Sequence, residues 1–124
     1  VVMPYVRCEG TKVFRWAPSA MAQVARDALE LAGVAAEDLD AFIPHQANLR
    51  ITETLTRTLK LPSDIPVARD VVNSGNTSAA SVPLAMQAML AGGEVSGGGT
   101  ALLIAFGAGL SYAAQVVSLP PWSE

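Results

Sequence analysis

Charge is what this sequence has least of, and the shortage is uneven. Only 15% of its 124 residues are Asp, Glu, Lys or Arg, where about a quarter would be ordinary. All eight Lys and Arg stand at or before Arg69, and from Val71 to Ser123 the only charged side chain is Glu94. A stretch that apolar must be buried, inside this domain or against a partner, which marks the chain as a piece of something larger. Cysteine is almost missing: the single Cys8 excludes an internal disulfide framework and fits a reducing cytoplasm. The net charge of −3 argues against a nucleic-acid binder, which would normally be basic. No charged-then-apolar leader opens the chain, and it begins at Val1 without methionine, as a fragment or processed chain would.

Apolar residues, by contrast, make up 51%. At this length about two thirds of the unfolded surface is buried on folding, enough for one domain over 1–124 with a real core. The run 100–117 is long enough to raise the question of a membrane span. Gly107, Gly109, Ser111 and Gln115 interrupt it, so it reads as two strands around a Gly-Ala-Gly turn, and no membrane span is expected.

Met21, Val24, Ala25, Ala28, Leu31 and Ala32 recur at helical spacing, predicting an amphipathic helix entered near Ala17-Pro18-Ser19 and stopped by Gly33. Ala41-Phe42-Ile43 before Pro44 reads as a short buried strand. A helix is expected over 46–60, ended by Leu61-Pro62-Ser63-Asp64, then a weak strand over 65–68. The segment 79–91 is apolar almost all round, as in a helix at the middle of a protein. Pro83 demands a kink or a late start there, and Gly92-Gly93 stops it. Strands over 100–106 and 110–118 close the chain. The order is α/β.

Three segments carry candidate chemistry. His45, the only histidine, falls where a buried strand gives way to a helix, and ligands gather at the carboxyl ends of strands in open α/β sheets. A histidine that merely caps the helix is the alternative. Asn76 lies in Asn73-Ser74-Gly75-Asn76-Thr77-Ser78, a polar loop running into the most apolar helix. There Gly75 can take backbone angles closed to other residues, and Thr77 or Ser78 can cap the helix. A capped turn is the alternative; a carboxamide at the mouth of an apolar core needs partners. Phe106-Gly107-Ala108-Gly109 is a Gly-rich turn without the following helix or third glycine of a nucleotide fingerprint.

Pro-His-Gln-Ala-Asn-Leu-Arg around His45, Gly-Asn-Thr-Ser-Ala-Ala-Ser around Asn76 and the closing Phe-Gly-x-Gly turn together resemble the β-ketoacyl-acyl-carrier-protein synthase III family, from about Gly10 to Val117. The resemblance implies the C-terminal half of a thiolase-like αβαβα layered sandwich, with a mixed sheet and a central buried helix. It implies decarboxylative Claisen condensation of an acyl group, carried from acyl-CoA onto a cysteine, with malonyl-acyl-carrier protein, priming fatty-acid or polyketide synthesis. The nucleophile would lie in an N-terminal half-domain absent here, so this chain alone would be inactive. Cys8 lacks the nucleophile motif.

On the same resemblance His45 and Asn76 are the catalytic pair, and the Ala108 backbone N–H helps hold the oxyanion of the acyl-enzyme. Phe106 packs beside the nucleophile, and Phe14, Ala47, Asn48 and Ile51 line the coenzyme A and pantetheine tunnel. Arg50 docks an acidic carrier protein, with Arg57 and Lys60 as weaker candidates on its helix. No metal and no resident cofactor are expected, because coenzyme A thioester and the phosphopantetheine arm are substrates. The complete enzyme is expected to be a cytoplasmic homodimer that binds neither nucleic acid nor membrane. Another thiolase-fold acyltransferase, a hydroxymethylglutaryl-coenzyme-A-synthase-like enzyme, and a non-catalytic carrier-protein-binding subunit are the rival readings.

Overall fold

A computed structural model describes residues 10–107 and 111–122. In chain order the elements are α1 (Gly10–Ala32), β1 (Ala41–Pro44), α2 (Leu49–Thr58), α3 (Val71–Ser74), α4 (Ser81–Ala91), β2 (Thr100–Gly107) and β3 (Ser111–Ser118). The strands form one mixed sheet in the order β1-β2-β3. β1 runs parallel to β2, with Ala41 opposite Ala101 and Pro44 opposite Ile104. β3 returns antiparallel, with Thr100 opposite Ser118 and Gly107 opposite Ser111.

Alternation along the strands sorts the apolar side chains onto two faces. Phe42, Leu102 and Ile104 join Met21, Ala25 and Leu29 of α1 and Ile51 and Leu55 of α2 in one core. Ala41, Ile43 and Ala101 join Ala85, Met89 and Leu90 of α4 in the other, which Leu119 closes. Helices on both faces make the α/β layering expected from the sequence.

Several boundaries move. α1 is already helical at Gly10 and contains Pro18, instead of starting at 17–19. A proline inside a helix costs one hydrogen bond, about 3 kcal/mol, and the burial of Met21, Ala22, Ala25 and Leu29 against the sheet offsets it. The helix ends as expected at Gly33, left-handed at φ 66, where Val34 N–H returns to Leu29 O. α2 starts three residues later than expected because the Asn48 side chain caps it, accepting from Arg50 N–H at 2.8 Å. The strand expected over 65–68 reduces to a single bridge between Val67 and Phe42. Phe42 N–H donates to Pro66 O and Ala68 N–H to Phe42 O, but Pro66 has no N–H with which to extend the ladder.

α4 shows the late start that Pro83 demanded. The proline is its third residue, where a backbone N–H has no acceptor within the helix. Neither Thr77 nor Ser78 caps it, contrary to expectation. A tight 3₁₀ turn over Ser78–Ala80 intervenes, so both residues sit too far ahead of the helix to reach its first N–H groups. This helix, expected at the middle of a protein, is covered on one side only: Ser81, Ala85, Met89 and Leu90 are buried, while Pro83, Leu84, Gln87 and Ala88 are exposed. No helix among the described residues is long and apolar enough to cross a membrane.

Candidate active site

β1 carries the chain to His45, whose N–H donates to Ile104 O at 2.7 Å and so extends the pairing with β2 one residue past Pro44. Two residues beyond Ile104, on the same face of β2, Phe106 meets the imidazole edge to face, with ring centroids 4.9 Å apart and planes at 85°. On another side of the ring, Nδ1 lies 2.5 Å from Ser81 Oγ at the start of α4. His45 does not cap α2, since Asn48 does, which disposes of the plainer sequence reading. Burial lowers its pKa below the ordinary 6.5, so at neutral pH the ring is uncharged. Acidification protonates the unfolded chain first, so His45 costs stability as pH falls below 6.5.

Gln46 follows, buried and fully engaged. Its Nε2 donates to Pro44 O at 2.7 Å and to Ala68 O at 3.3 Å, and its Oε1 accepts from Val71 N–H at 3.0 Å. Its backbone N–H donates to Ser81 Oγ at 3.2 Å. One carboxamide thereby fixes the end of β1 to the segment leading into the Asn76 loop. A buried amide with all these partners is a strut; with any one removed, the orphaned group costs about 1–3 kcal/mol.

The Asn76 loop is held in an unusual path. Gly75 takes φ 68 with ψ −164, and Ser78 takes φ 59, a left-handed angle uncommon for a residue with a Cβ. Asn76 Oδ1 accepts from Ser78 N–H at 2.9 Å, an Asx turn. That bond engages the oxygen and leaves the Nδ2 hydrogens as the donating end of the side chain, with no acceptor among the described residues. Asn76 is exposed in this chain. Thr77 Oγ1 next to it is buried without a hydrogen-bond partner among the described residues.

Sequence reasoning named His45, Phe106 and Asn76 but passed over Gln46 and Ser81. Both stand inside the motifs around His45 and Asn76; for Ser81 the available signal was a polar residue at the first position of a helix whose one other polar side chain is Gln87. The remaining candidates scatter. Ala47 is half-buried in the bend before α2, and Asn48 spends its oxygen on the cap. Ile51 is 6% exposed and belongs to the core under α1. Arg50 is exposed on the first turn of α2. Arg57 and Lys60 lie near its other end and, with Arg69, line a cavity of about 400 Å³. Ala108 and Cys8 lie outside the described residues, as does the side chain of Phe14. Among the described residues no three His, Cys, Asp or Glu side chains are grouped to hold a metal.

Residues 29–119 match the family described as 3-oxoacyl-[acyl-carrier-protein (ACP)] synthase III C terminal. The chain is 62% identical over 117 residues to beta-ketoacyl-[acyl-carrier-protein] synthase III of Streptomyces glaucescens, covering 94% of this chain and 35% of that protein. It is 56% identical over 118 residues to the beta-ketoacyl-[acyl-carrier-protein] synthase III of Mycobacteroides abscessus, covering 95% and 35%. Among solved structures, a priming beta-ketosynthase from a polyketide biosynthetic pathway superposes with a TM-score of 0.89 at 51% identity, covering 93% of this chain and 34% of that one. 3-Oxoacyl-(acyl carrier protein) synthase III from Pseudomonas aeruginosa PAO1 gives a TM-score of 0.89 at 35% identity, covering 99% and 40%. The thiolase-like expectation for the fold holds. The chain spans 35% of the length of these curated relatives.

Proposed function

Because the chain belongs to the 3-oxoacyl-[acyl-carrier-protein] synthase III family, matching its C-terminal part, we propose that it supplies the thioester-activating side of a decarboxylative Claisen condensation. Acyl-CoA first acylates a cysteine on an N-terminal half-domain. Malonyl-acyl-carrier protein then loses carbon dioxide. The electron pair left behind forms an enolate on the thioester, and its carbon attacks the acyl-cysteine carbonyl, making the C–C bond and releasing the cysteine sulfur. Acyl-CoA and malonyl-acyl-carrier protein are the substrates, and the complete enzyme is a cytoplasmic homodimer.

What carries this reading is a pair of uncharged side chains with donors to spare. Burial disfavours the charged form of the His45 ring, and the Asn76 carboxamide has its oxygen accepting from Ser78 N–H while its Nδ2 meets no acceptor among the described residues. Two neutral N–H donors suit an oxygen that becomes negative only during the reaction, because they stabilise the charge as it forms without a counter-charge having to be buried beforehand. Gln46 and Ser81, which link the His45 and Asn76 segments through hydrogen bonds, support their convergence on one atom. The Ala108 N–H assists the acyl-enzyme oxyanion. Phe106, already against the His45 ring, shields the site from water. Phe14, Ala47, Asn48 and Ile51 flank the pantetheine, and an acidic carrier protein docks near Arg50, with Arg57 and Lys60 extending the basic surface.

The open side of α4 supports a covering half-domain. Pro83, Leu84 and Ala88 are exposed here, and an apolar cleft of about 300 Å³ lined by Met86, Leu90 and Trp122 lies beside them. The function is tested by malonyl decarboxylation in the complete enzyme. His45→Ala and Asn76→Ala should each lower the rate about a hundred- to a thousand-fold. Full activity in either variant removes the mechanism. Acyl transfer from acyl-CoA with no malonyl decarboxylation in the parent enzyme points instead to another thiolase-fold acyltransferase.

A further inference from the structure

Ser81 has no part in the chemistry described so far, yet it is completely buried and its hydroxyl touches the His45 ring. The hydrogen-bond inventory around Ser81 Oγ determines where its proton goes. Gln46 N–H, 3.2 Å away, is a backbone donor, so Oγ accepts from it. His45 Nδ1, 2.5 Å away, is the other partner, and an imidazole nitrogen can take either role. If Nδ1 carried the proton, Oγ would accept twice, and its own O–H would need another acceptor, although Ser81 is fully buried and its Oγ has no further partner among the described residues. Leaving a buried hydroxyl proton unpaired costs about 1–3 kcal/mol. If Oγ donates to Nδ1, every group is satisfied. The second arrangement wins, and it leaves the single ring proton on Nε2, the nitrogen facing away from Ser81.

Two further features favour the same state. Ser81 is the first residue of the 11-residue helix α4, so His45 sits at the positive end of a helix dipole, where an imidazolium is disfavoured. Burial disfavours the charged ring as well. We infer that Ser81 is a positioning residue: its hydroxyl, itself held by Gln46 N–H, donates to His45 Nδ1 and so fixes the neutral tautomer in which Nε2–H is the donor. This deepens the proposed function and rests on it, because the Nε2–H is useful only if a thioester oxygen comes to it.

The test uses the complete enzyme, with malonyl decarboxylation read as kcat and KM separately. Ser81→Ala should lower kcat about ten- to a hundred-fold, by analogy with the loss when the hydrogen-bond partner that orients a metal-bound histidine is removed, with KM for the malonyl substrate unchanged. Ser81→Thr, which keeps the hydroxyl, should recover most of the loss. Nitrogen-15 spectra of the histidine-labelled enzyme, assigned by the signal missing in His45→Asn, should show Nδ1 bare and hydrogen-bonded and Nε2 protonated. In Ser81→Ala the Nδ1 hydrogen-bond signature should vanish. A protonated Nδ1 in the parent enzyme overturns the inference, even should Ser81→Ala fail to fold. Unchanged kcat in a folded Ser81→Ala also overturns it, as does Ser81→Thr as slow as Ser81→Ala. The proposed function fails separately: it falls if His45→Ala retains full decarboxylation, whereas a dead His45→Ala beside a fully active Ser81→Ala sinks only the tautomer assignment.

Discussion

The two faces of the sheet are finished differently. On one, Phe42, Leu102 and Ile104 are sealed beneath α1 and α2, whose outer sides carry Arg26, Asp27, Glu30, Glu53 and Arg57 into water. On the other, Ala41, Ile43 and Ala101 meet α4, whose outer side offers Pro83, Leu84 and Ala88 and no charge at all. A charged outer surface marks a face that is complete in this chain; an apolar one marks a face still to be covered. The candidate site belongs to the uncovered side's helix: Ser81 opens α4, and the Asn76 loop runs into it. The scaffold is thus anchored to the closed layer, while the chemistry is presented at the open one.

The sharpest way to break the comparison is to open the closed face. Phe42→Ala removes the largest fully buried side chain among the described residues and should cost about 3–5 kcal/mol, read by urea denaturation. A loss under about 1 kcal/mol would mean that this face is not the self-sufficient core. Next in size is the close backbone approach between Gly97 and the segment that follows Leu119. A Cβ on Gly97 would lie 2.9 Å from Pro120 O and from Pro121 Cα. Gly97→Ala should therefore destabilise by about 1–3 kcal/mol as the closing segment shifts, measured in the same experiment. No change would show that the segment beyond Leu119 moves without cost.

The smallest effect is the most discriminating. Leu84, 40% exposed on α4, should tolerate Leu84→Ser within about 0.5 kcal/mol in this chain alone. In the complete enzyme the same substitution should cost about 2–5 kcal/mol, the penalty of a buried truncation. Equal effects in both settings would show that α4 stays at the surface and is not a central layer.

Much of this was readable from residues in order. The burial of 41–43, the stops at Gly33 and Gly92-Gly93, the late start forced by Pro83 and the paired closing strands all follow from short-range rules: which residues lack an N–H, which tolerate a positive φ, which cannot face water. The motifs around His45 and Asn76 were equally visible as sequence. What failed was punctuation read without its surroundings. Pro18 looked like a helix start, and Thr77 and Ser78 looked like caps, because local preference was the only information available.

Amino-acid order determined where chain segments turn, which residues seek burial, and which two side chains carry candidate donors. Tertiary structure alone decided that Ser81, 36 positions away, meets His45 Nδ1, that Gln46 ties the two segments together, and that one side of α4 is left uncovered. The division has a physical cause: backbone preferences act over a few residues, whereas the partner of a buried hydrogen-bonding group is chosen by whatever the folded chain brings within about 3 Å of it.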